Sequence, residues 1–367
     1  MMPARHRFHS ICPYFAMFPE AFAEKWIGRL TRRNQLVLDP FCGRGTTPFQ
    51  SLLMERRAIG SDINPVAYCV TRAKTNAPAA RSVRRRITEL EKGFRNKDWD
   101  RERKSLPEFF SYAFSMPTLR QLLYLRRKLE WADRDTDSLI AGLTLGALHG
   151  ESQKSPSYLS NQMPRTISTK PAYSVRFWKK NGFEAPERDV FELLRTSVSF
   201  RYESDPPEGR AKILKTDMRE LPRLIGDELG KVHCVVTSPP YLDVTNFEED
   251  QWLRLWFLGG APNPTYRVVS KDDRHERADK YWDMISDMWR MLGQVLGMNA
   301  NVVIRIGGKG FDPDETAAKL EAISRFSKRK AKLVEYETSE IKKRQTDVFR
   351  PGSKGCLVES DFHFQVA

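Results

Sequence analysis

One segment limits the folds open to this chain more than any other. Gln35-Leu36-Val37-Leu38 is an apolar run that leads into Asp39-Pro40-Phe41-Cys42-Gly43-Arg44-Gly45-Thr46-Thr47, and an amphipathic helix follows over roughly residues 46–57. Glycines at 43 and 45 permit a tight strand-to-helix turn and let a ligand approach the backbone. A second strand, Ala58-Ile59-Gly60-Ser61, ends in Asp62 about 20 residues after the glycines. An acid there can accept both ribose hydroxyls of an adenosine cofactor. The spacing alone also fits a nicotinamide enzyme. However, Pro48 stands where the third glycine of a dinucleotide loop would be, and Asp39-Pro40-Phe41 has no role in holding a pyrophosphate. The residues favour a cofactor without phosphates.

A second signal lies about 200 residues downstream. The apolar run Val232-His233-Cys234-Val235-Val236 reads as a buried strand and closes on Thr237-Ser238-Pro239-Pro240-Tyr241. Consecutive prolines lack N–H donors and hold φ fixed, so their carbonyls form a rigid acceptor array. Ser238 adds an oxygen and Tyr241 a flat face. Together they suit a planar base carrying an exocyclic amino group, swung out of a duplex into a pocket.

DPFCGRGTT followed by TSPPY resembles the amino-methyltransferases of DNA, which move a methyl group from S-adenosylmethionine to cytosine N4 or adenine N6. Two further segments carry the resemblance. Cys12-Pro13-Tyr14-Phe15-Ala16-Met17-Phe18-Pro19-Glu20 precedes a helix with Phe22, Trp26 and Leu30 on one side, and is similar to the family segment that covers the methionine end of the cofactor. Asp217, in Lys215-Thr216-Asp217-Met218 after the strand Ala211-Lys212-Ile213-Leu214, falls where the family places a contact to the adenine ring. An aspartate after a strand is also a common helix N-cap. The resemblance implies a cofactor site of Phe18, Pro19, Asp39, Phe41, Gly43, Gly45, Thr46, Asp62 and Asp217. It implies a catalytic group of Ser238, Pro239, Pro240 and Tyr241, and no metal. It covers about 240 residues, and its order departs from the family pattern: the long insert enters before Asp217 instead of after its strand.

Composition agrees with a polyanionic partner. The 367 residues hold 61 Lys plus Arg against 47 Asp plus Glu, a net charge of +14. No apolar run is long enough to span a bilayer, and the N-terminus lacks the apolar core of a secretory signal. Cysteines 12, 42, 69, 234 and 356 are scattered, with neither a zinc pair nor a disulfide framework, which suits a reducing cytoplasm. Cys42 reads as a small residue beside the cofactor. The cysteine nucleophile of cytosine-C5 methylation belongs in the strand-end loop that Ser238-Pro239-Pro240 occupies.

Strands are expected at roughly 35–40, 58–62, 211–216, 231–237, 300–306, 331–340 and 355–365, the last two forming a hairpin. Seven strands ending in a hairpin match the Rossmann-like α/β sheet of methyltransferases, with residues 1–76 and 205–367 as a split catalytic domain. Residues 77–204 form a large, mainly helical insertion and the candidate DNA target-recognition region. Within it, residues 81–104 hold ten basic and five acidic residues, about 117–132 an amphipathic helix, and 139–148 a nearly all-apolar stretch. Residues 151–183 carry six basic and one acidic residue, with Tyr158, Tyr173, Phe177 and Trp178 interleaved. Such a mix suits phosphate contacts and stacking, or else forms a helical lid with a solvated loop. A Trp/Leu-rich helix, residues 251–258, is expected in the core. Asn246 and Phe247 are candidates for the pocket edge, and the loop 266–277 for closure over DNA.

In the family, Ser-Pro-Pro-Tyr leans towards cytosine N4 and Asp-Pro-Pro-Tyr towards adenine N6. Ser238 can both accept from an amino group and offer its hydroxyl to a cytosine N3. Two rivals remain. One is RNA guanine-N2 methylation, disfavoured because only about 35 residues precede the first strand. The other is a catalytically silent DNA-binding protein on the same fold. The resemblance also implies duplex DNA with base flipping as substrate and a cognate restriction endonuclease or defence-system partner. It places the chain in the cytoplasm, away from membranes.

Overall fold

The computed structural model describes residues 5–14, 18–150, 158–163, 170–242, 247–265, 278–308, 311–340 and 358–367. Residues 15–17 of the cofactor-cover segment, Asn246, the loop 266–277, the hairpin tip at 351–355 and parts of 151–183 lie outside the described residues.

The seven expected strands all form: β1 Leu36–Asp39, β2 Arg57–Asp62, β3 Lys212–Lys215, β4 Val232–Thr237, β5 Leu296–Gly307, β6 Ala331–Glu340 and β7 Val358–Val366. They lie in one sheet in the order β3-β2-β1-β4-β5-β7-β6. The first five are mutually parallel, and β7 runs antiparallel between β5 and β6. This is the Rossmann-like methyltransferase sheet. Reversal of strand order occurs between β1 and β4, so the crevice of an open α/β sheet falls at their carboxyl ends.

Successive side chains of each strand serve opposite faces. Leu36, Leu38, Val235, Val302 and Ile304 join one apolar cluster with Ile285, Met288, Trp289 and Leu292 of the helix Ala278–Val295. The intervening Val37, Cys234, Val236 and Val303 join Phe22, Ala23, Trp26 and Ile27 of the helix Glu20–Leu30 on the other. Consecutive apolar residues at 36–38, 234–236 and 302–304 are what burial on both faces demands.

Two boundaries differ from expectation. The helix after β1 is Thr46–Leu53 and stops short of residue 57, because Glu55 turns through a positive φ of 62° and residue 57 already pairs in β2. Strand β5 starts at Leu296, directly after the preceding helix, with Asn299 at φ 51° and a register shift opposite Val232 and Cys234.

The chain divides into two compact units: residues 14–71, 207–245 and 269–367 make the sheet unit, and residues 1–13, 72–206 and 246–268 a helical one. The helical unit therefore takes in two segments beyond the expected 77–204. Trp252 and Trp256 explain residues 246–268, since they pack against Phe110 with ring centroids 6.0 and 4.5 Å apart. Arg201 explains residues 1–13, because its guanidinium donates to the carbonyls of Arg7 (2.7 Å) and Ser10 (2.9 Å). Inside this unit Arg86 makes a two-pronged bond to the buried Asp137 at 2.8 and 3.0 Å. Trp178 is fully buried, donates its indole N–H to the Gln162 carbonyl and packs against Phe109. It is core, not a stacking surface for nucleic acid. Ser174, Val175 and Trp178 form the buried stripe of the helix Pro171–Asn181, while Tyr173, Arg176 and Lys180 are exposed.

Candidate active site

All the site residues expected from the sequence lie in the sheet unit, and four neighbouring strand ends carry most of them. Asp39 ends β1, Asp62 ends β2, Asp217 follows β3 and Ser238 follows β4. The carboxyl end of β1 is tied directly to that of β4: the Thr237 hydroxyl donates to Asp39 Oδ1 at 2.6 Å, and Thr47 donates to the Val236 carbonyl at 3.0 Å. The two motifs nearly 200 residues apart thus meet edge to edge.

The glycine loop is a tight turn. Gly45 N–H donates to the Cys42 carbonyl at 2.6 Å, and Cys42 N–H donates to the Ser61 carbonyl at 2.9 Å. Gly43 and Gly45 have φ of +49° and +73°. A Cβ on Gly45 would lie 2.4 Å from the Thr71 methyl, so this position excludes side chains twice over. Gly45→Ala is expected to destabilise the protein by about 2–3 kcal/mol, from strain plus the clash. Urea unfolding checks this. Adding Thr71→Ala should recover only part of the loss, because the backbone strain remains. Cys42 is buried in the turn, its thiol near the Thr71 hydroxyl, a packing role.

Asp62 Oδ2 accepts from Gly43 N–H at 2.8 Å and Oδ1 from Asn64 N–H at 2.9 Å, which fixes the carboxylate under the loop. Burial pushes its pKa up to about 6 against these bonds. Asp39 is wholly buried, and burial pushes it up to about 7 despite bonds from Thr237 and Phe41. Its Oδ2 has no hydrogen-bond partner among the described residues. An orphaned, half-neutralised carboxylate beside a glycine turn is suited to a cationic ligand. Thr46 is buried at the start of the helix that leaves the turn, and Phe41 packs on the edge of the core.

The segment expected to cover the cofactor reaches the same loop through Glu20, whose carboxylate pairs with the buried Arg44 at 3.1 Å. Phe18 is buried edge-on to Phe22 (4.8 Å), and Pro19 is the exposed N-cap of the helix. Asp217 caps a short 3-10 turn through Arg219 N–H and forms an ion pair with the Arg219 side chain at 2.7 Å. It is the N-cap the sequence allowed for, and its partly exposed carboxylate stands at the end of β3.

At the candidate catalytic motif, Pro239 is buried, Pro240 exposed, and Ser238 and Tyr241 partly buried. Nothing in the sequence hints at what Tyr241 touches. Its hydroxyl donates to Glu359 Oε1 on β7 at 2.9 Å and receives the Ser238 hydroxyl at 3.4 Å. Burial, and then the Glu359 charge, hold the Tyr241 phenol well above its usual pKa. Behind Glu359, Arg305 lies 3.4 Å from Glu359 Oε2 and grips Asp361 with bonds of 2.6 and 3.0 Å. Trp26 N–H completes Asp361 at 2.9 Å. Arg305 in the apolar run of β5 was the available signal, since a basic residue there requires a buried counter-charge.

A family model of DNA methylases, those acting at N6 and N4 amino groups, matches residues 4–71. That stretch holds the glycine loop and Asp62. Residues 4–71 thus resemble the DNA amino-methyltransferases. Among curated proteins, the type II methyltransferase M.MvaI of Kocuria varians is 24% identical over 253 residues, covering 65% of this chain. The chain spans about half (53%) of the length of that relative. Among solved structures, TrmN of Thermus thermophilus aligns with 99% of this chain and 53% of its own at 10% identity and a TM-score of 0.39. The rRNA methyltransferase AviRa of Streptomyces viridochromogenes aligns with 96% and 87% at 13% identity and 0.32. The strand order itself identifies the fold. Fold and signature together imply S-adenosylmethionine as methyl donor. The orphaned Asp39 oxygen and the braced Asp62 fit such a group. No described group of His, Cys, Asp and Glu could hold a metal ion, and no described helix is long and apolar enough to cross a membrane.

Proposed function

We propose that this protein methylates DNA, transferring a methyl group from S-adenosylmethionine to the exocyclic amine of a flipped base, cytosine N4 in preference to adenine N6. The observation that carries the reading is the Thr237–Asp39 hydrogen bond, which joins the catalytic motif to the cofactor loop. Ser238 in place of an aspartate favours cytosine. The likeness to a type II methyltransferase favours DNA over RNA, and a partner nuclease is the corresponding expectation.

The bound cofactor would supply an electrophilic methyl carrying the sulfonium charge. Asp62 would hold the ribose hydroxyls, Asp39 the cationic end, Asp217 the adenine ring, and Phe18 with Pro19 would cover the methionine end. Ser238 Oγ and the Pro239 carbonyl would accept the two amine N–H groups and orient the nitrogen lone pair towards the methyl. Tyr241 and Pro240 would wall the base. Residues 77–204, with Arg81, Arg84, Arg85, Arg176 and Lys180 exposed, would track the phosphates.

Ser238→Ala is expected to lower kcat by about 10²-fold through loss of one orienting contact. Tyr241→Ala should weaken DNA binding by about 10–100-fold through lost stacking. Transfer of tritiated methyl groups to plasmid DNA, with total RNA in parallel, checks both and tests the reading. Label in DNA is expected. Label in RNA alone would replace DNA with an RNA substrate.

A further inference from the structure

Strand β7 returns past the catalytic loop, and its second residue, Glu359, sits opposite Gly307 at the carboxyl end of β5. That is the sheet edge from which the Ser238 loop leaves β4. Each hydroxyl there has one hydrogen to give. Tyr241 gives its own to Glu359, so its oxygen can only accept from Ser238. Ser238 accordingly gives its hydrogen to Tyr241. What Ser238 has left for a ligand is lone pairs.

We propose that Glu359 is a positioning residue which, acting through Tyr241, fixes Ser238 as a hydrogen-bond acceptor aimed at an amino group. This deepens, and rests on, the reading of Ser238 to Tyr241 as the transfer site. It revises one sequence expectation: with its hydroxyl engaged, Ser238 is not the donor to a ring nitrogen. The ligand class is a base read through its N–H hydrogens, and the ring nitrogen must find its donor elsewhere.

Glu359 is itself held. Arg305 contacts its second oxygen while bound twice to Asp361, and the Arg305 guanidinium lies 3.9 Å from the centre of the Phe22 ring. Phe22 in turn packs on Phe18 of the cofactor-cover segment. One arginine therefore braces both the acceptor array and the wall expected over the cofactor. A planar guanidinium suits this double task, with its edge on carboxylates and its face on a ring.

The test compares Glu359→Ala, Glu359→Gln, Tyr241→Phe and the double variant Tyr241→Phe/Glu359→Ala in tritiated methyl transfer to plasmid DNA. Binding of S-adenosylmethionine is measured by calorimetry for each. Glu359→Ala and Tyr241→Phe are each expected to lower kcat by about 10²-fold with cofactor affinity unchanged, because an acceptor is misdirected and no binding contact is lost. The double variant should be no slower than either single one, as expected for residues acting in one chain. Glu359→Gln retains an oxygen that can accept from Tyr241 and should lose less than about tenfold.

Additive losses, or a Glu359→Ala variant as active as the parent, would overturn the proposal. A Glu359→Gln variant as slow as Glu359→Ala would also overturn it, since the charge would then matter and not the acceptor. Tyrosine 13Cζ NMR reads the contact without turnover: Tyr241 should ionise at lower pH in Glu359→Ala than in the parent protein. If the parent transfers nothing to DNA while that difference in ionisation is present, the functional reading has failed and the hydrogen-bond chain has not. If the difference is absent, the chain itself is refuted.

Discussion

Replacing Asp39 with Asn is expected to raise stability at pH 8 by up to about 4 kcal/mol and to flatten the dependence of stability on pH. The folded protein raises this carboxyl from 3.8 to about 7, and a pKa change of one is worth about 1.36 kcal/mol. The sign follows from linkage. A raised folded pKa means that the native state binds the proton more tightly than the unfolded chain. The stability it contributes is complete below about pH 4 and is lost as pH rises through about 7. Asp62, raised to about 6, adds a smaller loss in the same direction. The substituted amide keeps an oxygen for Thr237 and Phe41 but cannot ionise, so it escapes the loss. Urea unfolding of both proteins at pH 5 and pH 8 measures the difference.

The same carboxylate then has a use for its instability. On the proposed reading a cationic cofactor lies against Asp39 and favours the ionised form, so binding should expel a proton between about pH 5 and 7. Affinity for S-adenosylmethionine should rise with pH across that range in the parent protein and be weak and flat in Asp39→Asn. Calorimetry in two buffers of different ionisation enthalpy detects the released proton. The variant would be the more stable protein and the poorer enzyme, the trade expected where a site holds an unfavourable charge for a ligand.

Arg305→Met is the second large effect, and it falls on stability. Arg305 and Asp361 are both buried, and the arginine also contacts Glu359 and Phe22. Removing the cation leaves a buried carboxylate with, among the described residues, only the Trp26 N–H. Breaking such a pair costs about 3–5 kcal/mol. Adding Asp361→Leu should return much of that loss, because apolar replacements at both ends leave no buried charge. Urea unfolding of the single and double variants checks this, and a double variant as unstable as the single would refute a stabilising role for the pair.

How far the sequence can be read depends on which contacts are local. Strands β1 and β4 hold short apolar runs buried on both faces, so Leu36 to Leu38 and Cys234 to Val236 declare themselves. The glycine loop does so because positive φ at 43 and 45 leaves few residue choices. The contacts of Tyr241 are hidden because they depend on register. Arg305 meets Asp361, and Gly307 meets Glu359, only when β5 and β7 pair antiparallel at one particular offset. Nothing in residues 300–306 or 355–365 states that offset. Trp178 misleads for a different reason. The polar composition around it suggests a solvated surface, while Ser174, Val175 and Trp178 at helical spacing already mark a buried face. The segment 246–268 visibly holds a core helix, but not whose core; the partners Phe109 and Phe110 lie well over 100 residues away in sequence.

Nucleoside mass spectrometry of DNA incubated with the purified protein and S-adenosylmethionine, with Ser238→Ala as control, decides whether this site does what its geometry supports. N4-methylcytosine, lost in the variant, is the expected product. N6-methyladenine would contradict the choice of base while leaving the acceptor chemistry in place. Unmodified DNA, across several sources and with the cofactor demonstrably bound, would contradict methyl transfer to DNA at this site altogether.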